Sequence, residues 1–398
     1  MIAYEYSCVV DGSISRRRWC RRGSTAIVVF ALLGGATWGL IAPLGAAEVK
    51  GEPATTGRLP REKLLLFRDA NQGIKPVKSI ADWEKRRAEI VAGAESIMGR
   101  LPGAEKRCDF DVKVEEEVDC GRYVRRLITY ASEPNSRVPA YLLIPKEVLN
   151  NPGKKASAIL CLHGTNNEVG HGTVVGLGKT PNRQSGSELA ERGFVVLAPN
   201  YPLLAKYQPD LKALGWESGT LKAVWDNIRG LDLLETLPFV QPGAFGAIGH
   251  SLGGHNSVYT AVFDPRIKVV VSSCGLDSFL DYKDARPELW RLEQGWAQTR
   301  YMARLANYQN RLEEIPFDFY ELVGALAPRR VLIIAPIHDS NFKYQSVDRI
   351  VKAAKEVYEL YGHPDRLSVE HPDCAHDFPV EMREKAYKVL EAELKPSK

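Results

Sequence analysis

Six short apolar runs, separated by segments of helical character, govern what this chain can fold into. The runs cover residues 158–162, 194–198, 245–249, 269–272, 331–335 and 367–370. Their near-continuous apolarity is that of strands buried on both faces, and the segments between them supply crossover helices at about 184–191, 220–237, 252–262, 344–361 and 380–394. The expected class is therefore α/β, with a mostly parallel central sheet flanked by helices. Upstream, Trp83, Ile90, Val91, Ile97 and Met98 recur at helical spacing over 82–98, stopped by Gly99 and Pro102. Strand-like stretches follow at 110–118, 123–130 and 138–144. Residues 81–150 thus read as a helix and antiparallel strands joined to a core spanning 151–398. Residues 279–329 break the rhythm: too long for a connection and rich in Trp, Tyr and Arg, they read as a helical insertion, or cap, over one end of the sheet. Residues 48–80 are polar, with scattered Pro and Gly, and read as a linker or extended arm.

One strand-to-helix turn carries chemistry. Gly249-His250-Ser251-Leu252-Gly253 sits between an apolar run and a helical segment, the context in which G-x-S-x-G forms a nucleophile elbow. Side chains beside the serine would collide with the neighbouring strand and helix, which is why glycines flank it. The turn lifts Ser251 to a helix N-terminus, where backbone amides can meet an anion. Without catalysis, the same turn would be a tight βα connection holding an ordinary serine.

A serine nucleophile needs a base. His376 lies on the loop between the last strand and the last helix, at the same sheet end as Ser251; His371, at the strand end, is its nearest competitor. The bland alternative makes His376 a cap on the helix near Val380. The acid belongs between nucleophile and base in sequence, past a strand's carboxyl end, and Asp339 stands there. Asp318 and Asp277 are lesser candidates, and Asp339 could instead cap a helix or make a turn. The turn His163-Gly164-Thr165 after an early strand offers one oxyanion amide, at Thr165, and Leu252 after the serine offers another. Such donors are worth ~3 kcal/mol each in a transition state. His163 reads as a structural histidine beneath that loop. In the insertion, Trp290, Trp296, Arg300, Tyr301, Phe317 and Phe319 could wall a pocket, with Trp296, Tyr301 and Arg300 as substrate-binding candidates; the same aromatics could equally glue the insertion to the sheet.

From about Trp83 onward the chain resembles bacterial α/β-hydrolases of the dienelactone hydrolase and acetyl-xylan esterase group, with prolyl-oligopeptidase-type domains as more distant relatives. The resemblance rests on the turn at His163, the Gly249–Gly254 elbow, Ala327-Pro328-Arg329 before the acid strand, Asp339, and Ala375-His376-Asp377-Phe378-Pro379. It implies an α/β-hydrolase fold and a triad of Ser251, Asp339 and His376. Dienelactone hydrolases proper carry cysteine at the elbow. Ser251 in its place favours an ordinary ester, and the stretch of this sequence ahead of the core is expected to be too short for a β-propeller.

The expected function is thus a serine esterase needing no metal and no organic cofactor, acting on a small-molecule or carbohydrate ester. A peptidase of the same fold and a noncatalytic binding protein are the alternatives. The net charge is +4, and the first 47 residues hold five arginines against Glu5 and Asp11, so the remainder is close to neutral and gives no electrostatic case for nucleic acid. Those 47 residues read as a twin-arginine-like export signal. Arg16-Arg17-Arg18 follow Ser15, an apolar stretch runs from Ala26 to Leu44, and Gly45-Ala46-Ala47 are small residues fit for cleavage. Kept uncleaved, the stretch would be a membrane anchor, since it approaches the ~20 residues that span a bilayer. The expected location is periplasmic or secreted. Beyond the signal five cysteines remain, with no CxxC pair to suggest zinc or a disulfide framework.

Overall fold

The computed structural model describes residues 57–394; the expected export signal and the first residues of the arm lie outside them. Strands β1 (Leu66–Arg68) and β2 (Ile74–Pro76) form a small antiparallel hairpin. The main sheet holds β3 (Lys113–Asp119), β4 (Tyr123–Glu133), β5 (Ser136–Pro145), β6 (Ala156–Leu162), β7 (Val195–Pro199), β8 (Val240–His250), β9 (Ile267–Ser273), β10 (Arg330–Ile334) and β11 (Leu367–Glu370). Their spatial order is β11-β10-β9-β8-β6-β7-β5-β4-β3. From β11 to β7 every neighbour is parallel; β5, β4 and β3 complete the sheet antiparallel. Six parallel strands extended by an antiparallel edge are the α/β-hydrolase architecture expected above.

The period-2 geometry of a strand explains why the parallel runs are apolar throughout. In β10, Val331 and Ile333 join one core while Leu332 and Ile334 join the other. A short helix α2 (Lys146–Leu149) follows β5; α4 (Gly219–Thr236), α5 (Leu252–Phe263) and α7 (Tyr344–Leu360) cover the first face, and α3 (Ser185–Glu191) and α8 (Val380–Leu394) cover the second. Helix α1 (Ile80–Met98) begins where Ser79 Oγ accepts from Asp82 N, ends at Gly99 with φ 99°, and buries Trp83, Ile90, Ala94 and Ile97 against the first core. The first edge strand starts later than its apolar pattern implies. Asp111 adopts φ 40°, which ends extended geometry, and Phe110 O accepts instead from Ala131 N at 2.7 Å.

The segment expected as linker or arm lies, from residue 57, against the core: Leu59, Leu64, Phe67 and Val77 are buried, and Arg61 pairs with the buried Asp318. The insertion at 279–329 consists of short 3-10 turns and α6 (Phe319–Gly324). Phe279, Trp290, Phe317 and Phe319 interlock in it as a buried aromatic cluster, with Phe279 edge-on to Trp290 and Phe317 at centroid separations of 5.8 and 5.4 Å. Those rings hold the insertion together and do not wall the cavity. Among the described residues no helix is long and apolar enough to cross a membrane.

Candidate active site

Strand β8 stops at His250, α5 starts at Leu252, and Ser251 between them has φ 56° and ψ −121°. A non-glycine residue at positive φ stores backbone strain. The strain is held by Ser251 N donating to Ser273 O at 2.8 Å and by Gly254 N donating back to Ser251 O at 2.8 Å. A Cβ on Gly253 would run into the carbonyl of Leu162, and one on Gly249 into the backbone of Gly253, so strand and helix close on each other only through glycine. Gly164 is close too, though less tightly packed: its Cβ would stand 3.3 Å from His250 O and 3.6 Å from Ser251 Cβ. The Gly164-Thr165 turn therefore lies directly against the elbow. Leu252, as the first residue of α5, carries an amide that no helical carbonyl can accept.

Asp339 follows β10, and its side chain is 2% exposed. His376 Nδ1 donates to Asp339 Oδ2 at 2.8 Å, while Oδ1 accepts from Asn341 N at 2.7 Å and Phe342 N at 3.2 Å. Burial pushes this carboxyl upward, but the hydrogen bond and charge of His376 and the two amides outweigh it and hold it below the usual carboxylate range. With Nδ1 committed to Asp339, Nε2 is the ring atom left for chemistry. The ring stands 4.8 Å from that of His250 and 5.7 Å from that of Phe342, centroid to centroid.

The competing residues face elsewhere. His371 is bonded through Nδ1 to Ala335 O at 2.7 Å and through Nε2 to Asp348 Oδ1 at 2.9 Å. Asp318 caps α6 and pairs with Arg61. Asp277 Oδ2 accepts from Lys343 N at 3.3 Å. His163 receives Tyr201 N at its Nε2, 2.9 Å away, so its Nδ1 carries the proton and donates to Gly164 O at 2.7 Å. Burial pulls it down to about 4, which keeps it neutral as a brace under the Gly164 turn. His250 is likewise held well below its ordinary range, first by burial and then by the charges of Arg183 and His376.

Ser251, His376, Thr165 and Leu252 all line one cavity of about 420 Å³, together with Trp296 and Tyr301. Tyr301 Oη lies 3.0 Å from Thr165 Oγ1, linking insertion to turn. Trp296 stacks on Tyr282 at 4.4 Å. Arg300 departs from expectation and is not a lining residue: its guanidinium bonds Gln298 Oε1 at 2.7 Å and Asn167 Oδ1 at 3.1 Å, and lies over the Tyr301 ring. The lining also includes Arg183, His255, Tyr282, Gln298, Asn341 and Phe342, which no motif singles out. Asn341 and Phe342 could have been inferred from their place just after Asp339; Arg183 has no local signal. Among the described residues, donor atoms of His250, Cys274 and His376 lie within 4.8 Å of one another, a grouping that could hold a soft metal ion. In this arrangement His376 Nδ1 is bonded to Asp339 and Cys274 Sγ to Asp377 O.

Fold and site together have the form of a serine hydrolase of the α/β-hydrolase type: a strained serine at a strand-to-helix turn, a histidine in the same cavity, and an aspartate paired with that histidine. A family model described as "Glucuronyl esterase, fungi" matches residues 215–362, a stretch holding both Ser251 and Asp339. The chain is similar to the putative hydrolase YtaP of Bacillus subtilis, 25% identical over 268 residues that cover 65% of this chain and 84% of that protein. It is 28% identical over 156 residues to 4-O-methyl-glucuronoyl methylesterase 1 of Wolfiporia cocos, covering 36% of this chain and 37% of that one. Among solved structures, a glucuronoyl esterase from Solibacter usitatus superposes with TM-score 0.65 at 19% identity, over 86% of this chain and all of the other.

Proposed function

We propose that the protein is an exported esterase that hydrolyses a carboxylic ester on a carbohydrate, with an ester of a sugar acid as the first substrate to try. The observation that carries this reading is the pairing of His376 with a buried, ionised Asp339 in the same cavity as the strained Ser251. In the reaction Ser251 Oγ attacks the ester carbonyl as His376 Nε2 takes its proton. The amides of Leu252 and Thr165 hold the oxyanion, and Asp339 steadies the imidazolium. Collapse expels the alcohol with the proton from His376; water, deprotonated by the same imidazole, then attacks the acyl group, and the second collapse releases the acid as His376 returns the proton to Ser251 Oγ.

The lining mixes polar and aromatic residues, as a sugar site does: Asn166, Gln298 and Asn341 stand beside Tyr282, Trp296 and Tyr301. The names of similar proteins support a sugar-acid ester ahead of acetylated xylan. Export is supported by the arginine block and the Ala46-Ala47 site alone. The test is a panel of methyl glucuronate esters, acetylated xylo-oligosaccharides, p-nitrophenyl acetate and aminoacyl p-nitroanilides. The reading expects kcat/KM to be highest for a glucuronate ester. Preference for acetylated sugar moves the substrate class, and cleavage of the anilides alone returns the protein to the peptidases.

A further inference from the structure

The loop bearing His376 is gripped on one side by Asp339 and on the other by residues outside the triad. Arg183, two residues before α3, donates from Nη1 to Asp377 Oδ1 at 2.5 Å and from Nη2 to the carbonyl of His376 at 3.2 Å. Asn182 Nδ2 donates to the second carboxylate oxygen, Asp377 Oδ2, at 2.7 Å. Behind them Arg383 of α8 donates to Asn182 Oδ1 and to Phe378 O, both at 2.8 Å, and grips Glu188 of α3 at 2.9 and 3.1 Å. Cys274 Sγ reaches Asp377 O at 3.2 Å. Three successive carbonyls, those of residues 376, 377 and 378, are thus each held by a side chain from another element. Arg183 alone of these donors also lines the cavity.

We propose that Arg183 is a positioning residue for His376: its fork, braced on Asp377, fixes the backbone that carries the imidazole toward Ser251. The inference rests on the catalytic reading above. An arginine suits the task because one planar group meets a carboxylate and a carbonyl at once, a pattern that a lysine's single ammonium does not reproduce. The task matters because misplacing a reacting group by about 1 Å can cost ~100-fold in rate.

The experiment compares Arg183→Gln, Arg183→Lys, Asp377→Asn and the double variant Arg183→Gln/Asp377→Asn in the full chain. It reads the rate of covalent labelling by a fluorophosphonate, kcat and KM on the best ester of the panel, and Tm. Positioning predicts that Arg183→Gln lowers kcat and labelling together, by up to ~100-fold, with KM within about two-fold. Arg183→Lys should recover only part, Asp377→Asn should match the loss, and the double variant should be no worse than either single change. Normal labelling with a raised KM would make Arg183 a substrate contact and overturn the proposal. So would an unimpaired Asp377→Asn, or losses that multiply in the double variant. Should Arg183→Gln not fold, Arg183→Lys and Asp377→Asn carry the same comparison. Failure of the wild-type protein to label sinks the catalytic reading itself, whereas a labelled wild type with an equally reactive Arg183→Gln sinks only this inference.

Discussion

Asp339, Asp277 and Asp318 all stand near the carboxyl side of the sheet, and their neighbours divide their chemistry. Asp339 is surrounded by donors, and a carboxyl held below its ordinary range adds stability at neutral pH that is lost as pH falls through its folded value. If it orients His376, Asp339→Asn should lower Tm at neutral pH in protein that still folds, with the loss shrinking toward acid pH, and reduce turnover by up to ~10⁴. Asp277 has the opposite environment. Its side chain is buried, Oδ1 has no hydrogen-bond partner among the described residues, and burial pushes it up to about 7 against the hydrogen bonds of Ser346 and Lys343. A carboxyl that binds its proton more tightly when folded favours the fold most at acid pH. That advantage drains away between the ordinary value of 3.8 and about 7, by up to ~4 kcal/mol. Asp277→Asn should therefore raise Tm at pH 8, leave it unchanged at pH 3, and keep turnover close to wild type. Loss of turnover in folded Asp277→Asn, beside normal turnover in Asp339→Asn, would exchange their roles.

At the scale of elements, the strands and helices that carry the site were legible because burial on two faces writes a continuous apolar run and burial on one face writes a helical period. The elbow was legible for a different reason: Gly249 and Gly253 have no alternative where strand and helix touch. Gly253→Ala should cost about 3 kcal/mol, read as a fall in the urea midpoint, since backbone must move to admit the methyl group. The insertion was legible only as an interruption. Its aromatic residues fill its own core, and composition cannot tell a ring that lines a cavity, such as Trp296, from one that packs beneath it, such as Phe317. Arg300 and Arg183 mark the same boundary, because pairings across long sequence separations leave no local pattern. The Thr165 turn can be tested alone. Thr165→Pro deletes one amide and should lower both labelling and turnover in protein that still folds; unchanged turnover would move the donor to Asn166.

At the scale of the whole molecule, the segment ahead of α1 closes over the insertion. Arg61 reaches Asp318 across 257 positions of sequence, and the same carboxylate accepts from Ser278 Oγ at 2.9 Å. Truncating one partner of such a buried pair strands the other, so Arg61→Ala should cost ~3–5 kcal/mol, much of it recovered in Arg61→Ala/Asp318→Asn. Neither change touches Ser251 or His376, and folded variants should keep their labelling rate. The central claim, that Ser251 is the nucleophile of an ester hydrolase, is met most directly by titrating the purified protein with a fluorophosphonate and following intact mass and ester hydrolysis together. The account predicts one adduct per chain, mapped to the peptide containing Ser251, hydrolysis lost in step with it, and neither adduct nor hydrolysis in folded Ser251→Ala. Undiminished hydrolysis by Ser251→Ala, or an adduct on another serine that abolishes activity, would contradict it.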